Sequence, residues 1–191
     1  MSERGDPVDE AMSACPRSRF LPLDLRSEAG RDAPVPIGHK QTNSQPSTVA
    51  AMLHLLDVRP GHRVLDVGSG SGWTSAILGE LVGPEGRVVG VERVPELLDG
   101  SRRALAEAPR PWVEVREARS DVLGLPDLAP FDRILVSAAP TALPQELVEQ
   151  LGDGGVMVIP VAGQMLRVTR GPDGPETTRH GAYGFVPLIE G

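Results

Sequence analysis

Asp66-Val67-Gly68-Ser69-Gly70-Ser71-Gly72-Trp73 is the stretch of this chain with the clearest capacity for ligand chemistry. An apolar run, Arg63–Gly68 (RVLDVG), leads into alternating glycines and then into a helical pattern from Trp73. Such a glycine turn lets a ligand approach the backbone where side chains would collide. The spacing is G-x-G-x-G, whereas dinucleotide enzymes seat a pyrophosphate on G-x-G-x-x-G. Asp66, two residues ahead of the first glycine, would repel a pyrophosphate and suits a ligand with an ammonium group. Glu92 closes the next apolar run, Arg87–Glu92, 20 residues beyond Gly72, where an acid accepts hydrogen bonds from ribose hydroxyls. An adenosine with an ammonium group and no phosphate is S-adenosylmethionine, and the same spacing disfavours an NAD-dependent oxidoreductase. The expected cofactor contacts are Asp66, Gly68, Ser69, Gly70, Gly72, Glu92 and Arg93.

Other chemistry finds little support. His39, His54, His62 and His180 show no metal spacing, and Cys15, the single cysteine, excludes an internal disulfide and a cysteine zinc site. The net charge of −7 and the pI of about 5.1 argue against a nucleic-acid surface, which carries a basic stripe. No apolar run approaches the roughly 20 residues of a membrane span. The polar, acidic start MSERGDPVDEAMSAC is unlike a signal peptide, so the expected location is the cytoplasm.

The elements that must hold the glycine turn alternate in kind. Helices are expected over Val8–Phe20, Thr48–Leu56 (opened by Pro46 or Ser47), Trp73–Val82, Pro95–Glu107 and Pro144–Leu151. Strands are expected over Arg63–Gly68, Arg87–Glu92, Trp112–Glu117, Phe131–Ala138 and Gly155–Val161. Two more, Met165–Thr169 and Tyr183–Ile189, flank the turn Gly171–Gly174. Ala33–Gly38, with its prolines, reads as extended. This alternation implies an α/β fold whose mostly parallel sheet is covered on both faces. A length of 191 residues, with 40% hydrophobic content and no dividing linker, fits one domain.

Segments outside the glycine turn resemble the protein-L-isoaspartate O-methyltransferase family. The most specific is residues 34–52, PVPIGHKQTNSQPSTVAAM. Pro16-Arg17, Phe20-Leu21-Pro22, Glu92–Leu97, Ala129–Ile134, GVMVIPV and Phe185–Leu188 are also similar, so the likeness spans about residues 8–190. It implies a Rossmann-like methyltransferase fold, doubly wound, with helices on both faces. Residues 1–60 would be a helical, substrate-side extension and residues 61–191 the cofactor-binding core. The implied activity is methylation of the α-carboxylate of L-isoaspartyl residues in damaged proteins, whose esters close to a succinimide and can open to aspartate.

The resemblance further implies that Ser44 lies beside the acceptor carboxylate as a hydrogen-bond donor. It places Ile37, Gly38, His39 and Gln41 near that pocket, and Phe185 to Pro187, Val186 included, near the substrate backbone. The partners would be isoaspartyl proteins or peptides, and the chain would be a monomer. Plain structural roles stand beside these: a turn bonded to backbone for His39, and capping of the following helix for Ser44–Ser47. Trp73 could face the cofactor or staple the first helix to the sheet. Three departures from the family pattern carry alternatives. The Gly-Asp-Gly turn that holds adenine is replaced by Glu117-Ala118-Arg119-Ser120-Asp121, with Asp121 the candidate for that role; Lys40 and Asn43 also differ. A methyltransferase acting on another carboxylate or a dedicated biosynthetic peptide, and a non-catalytic relative, stay open.

Overall fold

The computed structural model describes residues 5–188. Asp6 caps the first helix, α1 (Pro7–Ala14), by accepting the Val8 N–H at 2.8 Å. The expected helix to Phe20 stops at Cys15, because a residue before proline is pushed out of the helical region and Pro16 has no N–H to give. The chain resumes as a 3₁₀ turn, Arg17–Phe20, and a second one over Leu23–Gly30. The extended PVPIG segment forms β1 (Val35–Gly38), which turns at His39-Lys40 into β2 (Gln41–Asn43), a short strand with no signal in the sequence. Helix α2 (Pro46–Leu56) follows, burying Val49, Met52, Leu53 and Leu56.

From there strand and helix alternate as expected. The elements are β3 (Arg63–Val67), α3 (Trp73–Val82), β4 (Arg87–Glu92), α4 (Pro95–Ala106), β5 (Val113–Glu117), β6 (Phe131–Val136) and α5 (Gln145–Glu149), then β7 (Leu151–Val161), β8 (Gln164–Gly171) and β9 (Gly174–Ala182). The seven-stranded sheet has the order β5-β4-β3-β6-β7-β8-β9, parallel from β5 to β7 and antiparallel beyond. Strand order reverses between β3 and β6, so their carboxyl ends flank the crevice where ligands bind in such sheets.

The expected strand over Tyr183–Ile189 is not formed. Residues 183–188 make only an isolated bridge, Pro187 to Ala139, and Ile189 lies outside the described residues. The last strand is instead β9, at the sheet edge and mostly exposed. An edge strand with no buried face carries no apolar alternation to betray it.

Side chains alternate across the sheet. Val64, Val88, Leu135, Val156 and Val158 pack with α1, α2 and α3 on one face. Leu65, Val67, Val89, Val91, Ile134 and Met157 pack on the other with Leu147 and Val148 of α5. Burying each such side chain contributes about 1.5–3 kcal/mol. The first face also takes α4, whose Ser101 lies so close to Gly72 that a Cβ there would come within 2.9 Å of the serine Cβ. With φ of 84° and that contact, position 72 admits only glycine.

Candidate methyl-transfer site

A cleft of about 800 Å³ opens at the carboxyl ends of β3, β4 and β6, bounded on its other side by β1 and β2. Gly68, Ser69, Gly70 and Ser71 form its floor. The loop is tied to β4, with the Gly68 and Ser69 N–H groups donating to Val91 O at 3.0 and 3.1 Å. Glu92 completes the tie: its Oε2 accepts the Gly70 N–H at 2.8 Å, and its Oε1 accepts Arg93 N–H at 2.8 Å and Val94 N–H at 2.9 Å. Three of the roughly four acceptor positions of a carboxylate are thereby used, leaving one on Oε2 for a ligand. Arg93 lines the cleft as well.

Asp66 sits beneath the loop at 0% exposure, outside the cleft lining. Its Oδ2 accepts the hydroxyls of Thr74 and Ser75, each at 2.7 Å. Burial pushes the acid up to about 6, against the opposing pull of those two hydroxyls. Among the described residues, Asp66 Oδ1 and Ser69 Oγ are buried without a hydrogen-bond partner. Unmet acceptors beside a glycine loop fit a ligand that brings N–H donors. Gly72 starts α3 behind the loop and is not part of the cleft wall.

On the opposite wall stand Ile37, Gln41, Thr42, Asn43 and Ser44. Ile37 is seated in a small apolar cluster with Leu21, Val35 and Leu97. Its Cδ1 would lie 3.4 Å from a Cβ on Gly70, so the two walls nearly touch. Helix capping does not occupy Ser44. The N-cap of α2 is Gln45, without a side-chain cap bond, and Asp32 Oδ1 takes the Ser47 N–H at 2.9 Å instead. The Ser44 hydroxyl has no partner among the described residues.

Gly38, at the end of β1, and His39, in the turn that follows, are exposed and do not line the cleft. His39 Nε2 lies 3.9 Å from Glu96 Oε2 at the start of α4. Of the C-terminal pair, Val186 lines the cleft and its carbonyl accepts the Ala139 N–H at 2.8 Å, whereas half-buried Phe185 packs into the core behind. Asp121 lines the cleft, but its carboxylate is gripped by Arg119 at 3.0 and 3.2 Å, an ion pair that also holds the acid below its ordinary value. Trp73 lines the cleft, and its Nε1 donates to Cys15 O at 2.8 Å, tying the start of α3 to the end of α1.

Sequence reasoning missed two further parts. Ser137, Ala138, the 141–144 loop after β6 and the start of α5 complete the cleft, as the far side of the strand-order reversal. Arg17, 5% exposed, fastens the acceptor wall from behind. Among the described residues no group of three metal-ligating side chains occurs, and no helix is long and apolar enough to cross a membrane.

Comparison with known proteins agrees with this geometry. The family profile Protein-L-isoaspartate(D-aspartate) O-methyltransferase (PCMT) matches residues 2–191. A protein-L-isoaspartate O-methyltransferase from Methanopyrus kandleri is 47% identical, covering 97% of this chain and 84% of its own length. One from Methanocella arvoryzae is 45% identical, covering 93% and 96%. A Plasmodium falciparum protein-L-isoaspartate O-methyltransferase, crystallised with S-adenosyl-L-homocysteine, superposes with a TM-score of 0.85 at 26% identity, covering 97% of this chain and 91% of the other. The chain belongs to the protein-L-isoaspartate(D-aspartate) O-methyltransferase family of S-adenosylmethionine-dependent enzymes.

Proposed function

We propose that this cleft transfers a methyl group to the α-carboxylate of L-isoaspartyl residues in peptides and damaged proteins. The observation that carries the proposal is the facing of two walls across one cleft: the glycine loop with Glu92, and the Gln41–Ser44 segment with a free serine hydroxyl. Within one domain, the described residues from 61 on would supply the cofactor side and those before 61 the acceptor side, with Val186 joining the latter.

Bound here, S-adenosylmethionine would supply a methyl group activated by its sulfonium, which the carboxylate oxygen would take as the carbon–sulfur bonding pair stays with the sulfur. Glu92 would accept from a ribose hydroxyl through its remaining Oε2 position. Ser69 would meet the ammonium end through its unpartnered hydroxyl oxygen, while the buried Asp66 carboxylate would act on it only through space, from beneath the loop. Arg93 and the 118–124 loop, Asp121 included, would border the adenosine. No general base is needed, since a free carboxyl with an ordinary pKa near 4 is ionised at neutral pH. The work left to the chain is alignment and exclusion of water, which can supply roughly 7–11 kcal/mol. Ser44 donates to one carboxylate oxygen and orients the other; it is not a nucleophile. Ile37, Gln41 and Val186 would border the acceptor, Gly38 and His39 its approach, with Phe185 supporting Val186 from the core.

The test is a pair of peptides differing only in L-isoaspartate or L-aspartate, incubated with methyl-labelled S-adenosylmethionine. Base-labile label on the isoaspartyl peptide alone is the expected result. Cofactor binding with neither peptide labelled would overturn the proposal and favour a different carboxylate acceptor.

A further inference from the structure

Arg17 is buried, yet among the described residues it has no carboxylate within salt-bridge distance. Its guanidinium instead meets five oxygens. Nε donates to Asn43 Oδ1 at 2.7 Å and Nη1 to Arg31 O at 2.9 Å. Nη2 faces Ala33 O at 2.8 Å, Asn43 O at 3.1 Å and Ser44 O at 2.9 Å. The cation also lies 5.5 Å from the centre of the Trp73 ring. A buried charge is a costly way merely to fold a terminal segment, since packed apolar side chains do that at least as well. A planar fork of donors has a different use: it fixes the direction of several carbonyls at once.

The bonds to Asn43 set the amide's orientation. Because Nε can only donate, Asn43 must turn its Oδ1 toward Arg17 and its Nδ2 away. Nδ2 then donates to Ser71 Oγ at 2.9 Å, in the glycine loop. One chain of contacts therefore runs from Arg17 through Asn43 to the cofactor wall, and the same guanidinium holds the Ser44 carbonyl.

We infer that Arg17 is a positioning residue for methyl transfer: through Asn43 and Ser71 it fixes the distance between Ser44 and the cofactor loop. The inference rests on the acceptor reading above. Lysine at position 17 keeps the charge but not the fork, and a displacement on the ångström scale in such a site can cost about a hundredfold in rate. Ser71→Ala cuts only the tie to the glycine loop and leaves every Arg17 bond in place.

The experiment compares native protein, Arg17→Lys, Ser71→Ala and the double variant on an isoaspartyl peptide, with kcat counted per S-adenosylhomocysteine-binding site. Arg17→Lys should lower kcat about 30–100-fold with the KM for S-adenosylmethionine within about threefold. Ser71→Ala should lower kcat about 5–10-fold with Tm moved by less than about 2 °C. The double variant should fall no more than about twofold below Arg17→Lys, because both changes break one path. A lower Tm with native kcat per site in Arg17→Lys would overturn the inference. So would native kcat in Ser71→Ala, or losses that multiply in the double variant. If native protein binds cofactor but leaves the peptide unmethylated, the acceptor reading itself has failed.

Discussion

Glu92 Oε2 accepts the Gly70 N–H at 2.8 Å, so the acid that ends β4 holds the glycine loop that leaves β3. The same carboxylate takes the Arg93 and Val94 N–H groups, which makes it a clamp as well as a ligand group. Glu92→Gln keeps one acceptor oxygen but turns an NH₂ toward a backbone donor. The change also weakens the charged acceptor that Oε2 offers a ribose hydroxyl, and a hydrogen bond to a charged group is worth about 1.5–3 kcal/mol, so cofactor affinity should weaken about 10–100-fold. Calorimetric titration with S-adenosylhomocysteine checks this, and an unchanged affinity would contradict it.

Asp66 gives a dependence on pH. Burial raises the acid from 3.8 to about 6, so the folded chain holds this proton more tightly than the unfolded chain. Its contribution to stability is full below about pH 4 and is lost as pH rises through about 6, a change of about 3 kcal/mol. The native unfolding free energy minus that of Asp66→Asn should therefore fall with pH across this window. A ligand bearing an ammonium group favours the ionised acid, so cofactor affinity should rise over the same window. A flat difference in chemical-denaturation curves from acid to neutral pH would exclude this role for burial.

His39 (φ 52°) and Lys40 (φ 59°) both hold left-handed backbone at the turn between β1 and β2. The two positive φ angles of this two-residue turn suit asparagine and glycine better than lysine. A left-handed residue other than glycine costs about 1–2 kcal/mol, against about 0.5–1 kcal/mol for the added freedom of glycine in the unfolded chain. Lys40→Gly should thus raise Tm by about 1–4 °C. Lys40 is outside the cleft lining, so cofactor affinity should stay unchanged. A lower Tm in a thermal melt would count against strain at this turn.

What the sequence made legible follows from how locally each feature is encoded. β3, β4 and β6 are buried on both faces and appear as continuous apolar runs, and glycine spacing with Asp66 and Glu92 marks the ligand end of the first two. β9 escaped notice because polar, exposed residues carry no period. The place of Asp66 beneath the loop, rather than in the cleft, depends on Thr74 and Ser75 in the first turn of α3. The grip of Arg119 on Asp121 and the reach of Arg17 to Asn43, 26 positions away, are side-chain matters that spacing does not report.

Ser44→Ala tests the account most directly. The variant removes a single hydroxyl that no described residue engages, so fold and cofactor binding should stay native. A hydrogen bond to a charged group is worth about 1.5–3 kcal/mol, so kcat/KM for an isoaspartyl peptide should fall about 10–100-fold. The Kd for S-adenosylhomocysteine, measured on the same preparation, should not move. Native kcat/KM in Ser44→Ala would contradict the assignment of this wall of the cleft to the acceptor carboxylate.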